Sequence, residues 1–130
     1  KGASLSAKDL IKSELTRSAI YANVAEFFTH HDALVLPAAQ VAPFPSDQEW
    51  VEEINGETME TYIDWMTICC VITVTGCPAI SVPGGFTADG LPVGVQIVGK
   101  PGGDLELLRI AHAFEAATEH YRQKPAVCAD

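Results

Sequence analysis

The stretch of this sequence that most constrains its fold is residues 75–99, which read TGCPAISVPGGFTADGLPVGVQIVG. Two apolar runs rich in β-branched residues, 79–82 and 93–98, lie on either side of a segment of Gly, Pro and Asp. Such runs, bounded by turn-forming residues, are typical of β-strands. The ten residues that separate the runs are too many for a tight hairpin loop. We therefore expect two strands joined by a long connection that folds back on itself.

Two amphipathic helices are predicted to flank these strands. Ser6 and Asp9 have the spacing of a capping box, and the apolar periodicity that follows predicts a helix over residues 6–30. A second helix is predicted over residues 104–121, with Asp104 as its N-cap. Its predicted buried stripe consists of Leu107, Ile110, Ala111, Phe114, Ala117 and Tyr121.

Two further elements complete the predicted fold. Residues 33–36 form a short apolar run ended by Pro37, which is typical of a strand buried on both faces. Apolar residues at helical spacing predict a helix over residues 58–72, although its β-branched end would also suit a strand. The chain has no internal repeat or boundary, which indicates a single domain, residues 1–130. The predicted fold class is α/β: a small mixed sheet of strands 33–36, 79–82 and 93–98, covered by helices 6–30, 58–72 and 104–121.

The charge balance and the cysteines exclude several classes of function. A formal net charge of −9 disfavours nucleic acid and anionic membranes as partners, because both are bound by clustered Lys and Arg. The sequence contains no apolar run long enough to span a membrane and no signal-peptide pattern. Three of the four cysteines lie in apolar surroundings, which favours free thiols in the reducing cytoplasm over disulfides. Zinc-ligand spacing and phosphate-binding glycine motifs are both lacking, so we expect no metal and no cofactor.

Residue chemistry alone reveals no self-sufficient active site. The nucleophile motif G-x-S-x-G is absent. Ser81 lies within a predicted strand, where we expect a hydrogen-bonded core hydroxyl. Cys77 has no neighbouring cation in the sequence that would activate its thiol. Gln96 alternates with Val95 and Ile97 along a strand, and we expect it to be structural.

Three motifs give the chain a specific resemblance to a known family. They are a G-x-P-A-x-S-x-P run from Gly76, a G-L-P-x-G-x-Q run from Gly90, and a following helix with a Leu-Leu and a Phe-Glu pair. Together they closely resemble the C-terminal part of the amidase signature family. Weaker similarity extends upstream through residues 32–37 and 55–65, so the resemblance covers most of the chain.

The resemblance implies hydrolysis of a carboxylic amide to an acid and ammonia or an amine, within a large α/β fold. It also implies catalysis by a Ser, a second Ser with a cis peptide bond, and a Lys, all from the N-terminal half of the protein. The serines belong to a Gly/Ser-rich loop that this chain does not contain, so no catalytic residue is carried over. We therefore expect an inactive C-terminal fragment of a longer amidase. Its expected partners are the missing N-terminal half and a small amide substrate, and its exposed surfaces predict self-association.

One substrate-binding role is implied by the resemblance. In the family, the helix before the G-x-P run contributes to the wall of the acyl pocket, and here that helix contains Trp65, Met66 and Cys69. Relatives that bind a charged amide have an acidic residue near the position of Met66, so Met and Trp indicate an apolar or aromatic acyl group. Core packing is the alternative for all three, as it is for Phe44 and Trp50 in the preceding loop. A free-standing ligand-binding or protein-interaction module is the alternative function.

Overall fold

A computed structural model describes residues 2–125 and 128 of the chain. The helices in this part of the chain are α1 (Ala7–Phe27), α2 (Thr67–Thr75) and α3 (Asp104–Thr118). The strands are β1 (Leu34–Pro37), β2 (Glu53–Ile54), β3 (Glu57–Thr58), β4 (Ala79–Phe86) and β5 (Pro92–Val98). Short 3₁₀ helices lie at Gly2–Ser4, Asp64–Met66 and His120–Arg122. Across the described residues, no helix combines the length and the apolar character needed to cross a membrane.

The central sheet has three strands in the order β1-β5-β4. The predicted α/β class is confirmed, but both pairings of this sheet are antiparallel, where the sequence predicts a mixed sheet. β4 and β5 pair antiparallel because the short turn formed by residues 87–91 joins them directly. Within that turn, the Thr87 amide donates to the Leu91 carbonyl at 2.8 Å and the Gly90 amide donates to the Thr87 carbonyl at 2.9 Å.

β4 is longer than predicted, because it continues past Pro83 to Phe86. The strand register shifts between Pro83 and Gly85, and Gly85 has a φ of +117°, which residues with a side chain rarely adopt. Proline is tolerated at this position because β4 is an edge strand of the sheet. The predicted long connection is therefore wrong, since strand pairing takes up half of it.

The hydrophobic core lies between the β4–β5 hairpin and one face of α3. Val82 and Ile97 from the sheet cluster with Leu107 and Ala111 from α3, and each of the four is at most 4% exposed. The alternation of β5 places Ile97 on the α3 side of the sheet, as period-two reasoning predicts. The partly buried residues that pack against this cluster are Ala33, Ile80, Val95, Ile110 and Phe114.

α3 differs from its prediction at both ends. Its N-cap is Gly103, which offers no side-chain hydrogen bond, and Asp104 is the first helical residue. At the other end, Glu119 takes a left-handed φ of +53° and terminates the helix. Tyr121 therefore belongs to a separate 3₁₀ turn and is 50% exposed, and Ala117 is exposed as well. The predicted stripe is confirmed over Leu107, Ile110, Ala111 and Phe114.

α1 begins as predicted but lies on the surface. The Asp9 amide donates to Ser6 Oγ at 3.2 Å and the Ser6 amide donates to the Asp9 carboxylate at 2.9 Å, which confirms the capping box. Hydrogen bonds from the Ser6 hydroxyl and amide hold the pKa of Asp9 below its ordinary value. None of the 21 residues of α1 is buried, so the expectation that this helix covers the sheet is wrong. Its exposed apolar side chains include Leu10, Ile11 and Leu15, at 58%, 62% and 67%.

The predicted helix over residues 58–72 is wrong in its first half. A small hairpin, β2–β3, comes first, and its Asn55-Gly56 turn has two positive φ angles. The carboxylate of Asp64 then accepts hydrogen bonds from the amide and the hydroxyl of Thr61, which closes a turn over residues 61–64. Helical structure starts only after this turn, as one 3₁₀ turn followed by α2. Gly76, with a φ of +69°, ends α2 in the left-handed conformation.

β1 is less buried than predicted. Val35 is 58% exposed and Leu34 is 37% exposed, whereas the sequence predicts a strand covered on both faces. The physical reason is that no described element covers these two side chains, whereas α3 covers Val82 of the other edge strand, β4.

Candidate functional site

An apolar cavity of about 460 Å³ lies beside the start of β5. Three parts of the chain line it: residues 37–44, Trp65 and residues 92–94. Proline, alanine, valine and two aromatic rings supply most of its wall, with Gln40 as a polar exception. A concave, largely apolar surface with few polar groups is typical of a small-molecule site. The arrangement can therefore accept an apolar or aromatic group.

Trp65, one of the three predicted site residues, lines this cavity directly. Its indole makes perpendicular ring contacts with Phe44 and Tyr62, at centroid distances of 5.5 and 5.7 Å. The indole Nε1 is buried and has no hydrogen-bond partner among the described residues. Phe44 lines the same cavity, so it both packs on Trp65 and faces the site. Trp50 instead donates its indole N–H to the Met59 carbonyl at 3.3 Å.

Cys69 contacts the cavity wall rather than the cavity. Its Sγ donates to the carbonyl of Ala38 at 3.6 Å, and Ala38 lines the cavity. The amide of Ala38 donates to the Gly94 carbonyl at 3.0 Å, which joins the same loop to β5. Met66 is the half-buried N-cap residue of α2 and is not part of the described lining.

Gln40, which no motif in the sequence marks, ties the cavity wall to α2. Its Oε1 accepts a hydrogen bond from the backbone amide of Ile68 at 2.8 Å, across 28 residues of sequence. Ile68 lies in the first turn of α2, where amides have no partner within the helix and Met66 supplies no side-chain cap. Capping by a residue so distant in sequence has no local pattern. The one feature of the sequence that could have indicated this role is a single amide side chain, Gln40, in a loop otherwise made of Ala, Pro and Val.

The remaining candidates from the sequence lie outside this cavity. Ser81 is exposed, so the prediction of a core hydroxyl is wrong; it alternates with Val82, which faces α3. Gln96 is buried at 8% exposure. Cys77 is half-buried, and its amide donates to the Thr75 hydroxyl at 3.2 Å. All four cysteines are free thiols, and the described residues contain no group of His, Cys, Asp and Glu that could hold a metal ion.

Solved structures share this fold with the chain and define its class. A bacterial aryl acylamidase of the amidase signature family superposes with a TM-score of 0.79 at 29% identity, over 92% of this chain and 25% of the other. A glutamyl-tRNA(Gln) amidotransferase subunit from Thermotoga maritima gives a TM-score of 0.63 at 30% identity, over 82% and 22%. The fold is therefore that of amidase signature enzymes.

Sequence comparison identifies the family. The family model described as Amidase matches residues 1–108, so the chain belongs to the amidase family. A glutamyl-tRNA(Gln) amidotransferase subunit from Dehalococcoides mccartyi is 40% identical over 116 residues, which are 88% of this chain and 22% of that relative. The corresponding protein from Geobacillus thermodenitrificans is 36% identical over 117 residues, 89% of this chain and 22% of the relative. The chain thus spans about a fifth of the length of these curated relatives.

Proposed function

We propose that this chain is the C-terminal part of an amidase that hydrolyses carboxylic amides to an acid and ammonia or an amine. The observation that carries the proposal is the family match over residues 1–108 by a chain that spans about a fifth of its relatives. The chain contributes core sheet and part of the substrate pocket. The catalytic Ser, cis-Ser and Lys that the family resemblance implies belong to the N-terminal half, so residues 1–130 alone are inactive.

The exposed surface of the chain supports the missing half as its partner. The chain exposes 9441 Å², whereas a compact monomer of 13.9 kDa exposes about 6,700 Å². The excess of about 2,700 Å² lies on one partner and matches the upper end of obligate interfaces, which bury about 2,000 to 5,000 Å² on the two partners together. Exposed apolar side chains on α1 and β1 contribute to it, including Leu15 and Val35. We infer that the N-terminal half covers these faces, and that the isolated chain covers them by self-association.

The cavity supports an apolar or aromatic acyl group as the part of the substrate that binds here. Trp65 and Phe44 present ring surfaces to it, and the neighbouring Pro and Ala residues add aliphatic surface. Cys69 holds Ala38 in the wall, so it acts on the substrate through the loop. Met66 stays a predicted pocket residue, although it is not among the described residues that line the cavity.

The protein that contains this chain is proposed to work in the cytoplasm, without nucleic acid, membrane or cofactor as a partner. Four free thiols support a reducing compartment, and the net charge of −9 disfavours polyanionic partners.

Two other functions compete with this one. The 40% identity to an amidotransferase subunit favours, as a second candidate, part of an amidase-family subunit that works only within a larger assembly. A free-standing ligand-binding or protein-interaction module is supported by the cavity alone. The exposed faces of α1 and β1 speak against the module, because an independent domain needs its apolar faces covered.

Ammonia release from benzamide tests the proposal. The 130-residue chain should release no ammonia above the buffer background. A longer polypeptide that adds the N-terminal half should release it, and Trp65→Ala in that polypeptide should raise KM more than it lowers kcat, because the indole binds the acyl group. Hydrolysis by residues 1–130 alone would refute the assignment of catalysis to the N-terminal half. If the longer protein hydrolyses benzamide only when a second type of polypeptide is present, the result would favour the second candidate, a protein that works within a larger assembly.

A further inference from the structure

The side-chain amide of Gln40 has a fixed orientation in the cavity wall. The backbone amide of Ile68 can only donate, and it lies 2.8 Å from Oε1, so the oxygen of the Gln40 amide must face α2. The Gln40 nitrogen, Nε2, is thereby placed on the other side of the amide carbon. Among the described residues Nε2 has no hydrogen-bond partner, yet it is not one of the buried unpaired polar atoms. It therefore remains accessible to a ligand.

Gln40 Nε2 is the one side-chain hydrogen-bond donor of the described cavity lining that is neither paired nor fully buried. The other side chains of the described lining belong to Pro, Ala, Val, Phe, Trp and Gly. Trp65 also carries a donor, but its Nε1 is buried and closed to contact. Because Oε1 is occupied by α2, Gln40 cannot rotate its amide to offer an acceptor without leaving the Ile68 amide unpaired. The cavity thus combines apolar walls with one oriented N–H₂ group.

We propose that Gln40 Nε2 donates a hydrogen bond to an acceptor oxygen on the acyl group of the substrate. The inference rests on the proposed function, in which this cavity binds the acyl group. It narrows the substrate class from apolar or aromatic amides in general to those whose acyl group carries an acceptor oxygen. Gln40 is a specificity-determining residue under this proposal, since it distinguishes an acceptor oxygen from a hydrocarbon group of the same shape.

Two probes that differ at one position test this role. In 4-acetylbenzamide the ring carries a C=O acceptor, and in 4-isopropenylbenzamide a C=CH₂ group replaces it with similar shape. Isothermal titration calorimetry measures both dissociation constants with the longer polypeptide that adds the N-terminal half, in which the catalytic Ser is replaced by Ala so that neither probe is hydrolysed. The acetyl compound should bind about fivefold more tightly than the isopropenyl compound because of the hydrogen bond from Gln40, which is equivalent to about 1 kcal/mol.

Two substitutions separate the donor role of Gln40 from its structural role. Gln40→Glu keeps an oxygen for the Ile68 amide but removes the donor, so the preference for the acetyl compound should disappear while the melting temperature stays the same. Gln40→Met removes both groups and should also lose the preference. Gln48→Met is the matched control, because Gln48 is exposed and donates to the Trp50 carbonyl outside the cavity.

The outcomes distinguish this inference from the function on which it rests. Equal affinity for the two probes, or a preference that persists in Gln40→Glu, overturns the donor role and leaves the acyl pocket intact. Binding of neither probe overturns the acyl pocket itself, and the donor role with it. A preference that is lost in both Gln40 variants and kept in Gln48→Met supports the proposal.

Discussion

Truncation of Ile97 is the sharpest test of the core. Ile97 is 1% exposed and clusters with Val82 of β4 and Leu107 and Ala111 of α3. Ile97→Ala removes three carbons, each worth about 0.8 kcal/mol of transfer free energy, or about 2.4 kcal/mol in total. The cavity left behind adds to this loss, so we expect the free energy of unfolding to fall by about 2–5 kcal/mol. Ile97→Asp should cost more, because it buries a charge without a partner.

Urea unfolding followed by circular dichroism measures this loss. With a slope of about 1–3 kcal/mol per molar urea, Ile97→Ala should lower the midpoint by roughly 1 M or more. Val35→Ala is the matched control, because Val35 is the cross-strand partner of Ile97 in β1 but is 58% exposed. We expect it to cost less than about 1 kcal/mol. Equal effects of the two substitutions, or an unchanged midpoint for Ile97→Ala, would refute the burial assigned to β5.

Three other substitutions test the hairpin, the first helix and the exposed apolar surface. Gly84→Ala should lower the free energy of unfolding by about 1–3 kcal/mol. The added Cβ would lie 2.7 Å from Val95 Cγ2 and 3.3 Å from backbone atoms of β5. An unchanged melting temperature would contradict the packing of β4 on β5. The pKa of Asp9 is lower in the folded chain than in the unfolded chain. The capping box therefore stabilises the fold at a pH above the ordinary pKa of Asp, and this stabilisation is lost as the pH falls through the pKa of Asp9 in the folded chain. Ser6→Ala should weaken that acid dependence in pH-resolved melts, and a dependence of undiminished size would count against the cap. Leu15→Glu, at a position 67% exposed, should reduce self-association measured by light scattering. It should leave the melting temperature unchanged at concentrations low enough for the chain to be monomeric, and a drop under those conditions would show that Leu15 is packed within the monomer.

Local signals in the sequence predict those parts of the fold that depend on neighbours in the chain. The Ser6 and Asp9 capping box depends on residues three apart, and the structure confirms it. Alternation along β5 and the helical period of α3 likewise place Ile97 and Leu107 in the core. The prediction of a helix over residues 58–72 is wrong because the Asp64 side chain stabilises a turn over residues 61–64, and α2 begins only after it.

Burial and the site are harder to predict, because both depend on contacts that are distant in sequence or supplied by other polypeptide. The apolar stripe of α1 has the right period for a covered helix, but Leu10 and Ile11 stay exposed in the described part of the chain. Trp65 lines the cavity, and its predicted role in binding the acyl group stays a prediction. Gln40 is not predictable from the sequence, since its bond to Ile68 exists only after the loop and α2 meet.

The coding sequence upstream of the Lys1 codon tests the central claim most directly. If this chain is the C-terminal part of an amidase, sequencing of the source transcript should show an open reading frame that continues upstream without a stop. That frame should encode a polypeptide several times longer, with the Ser residues of a Gly/Ser-rich loop and a catalytic Lys. An in-frame stop followed by a start codon directly before Lys1 would contradict the claim and favour a free-standing module.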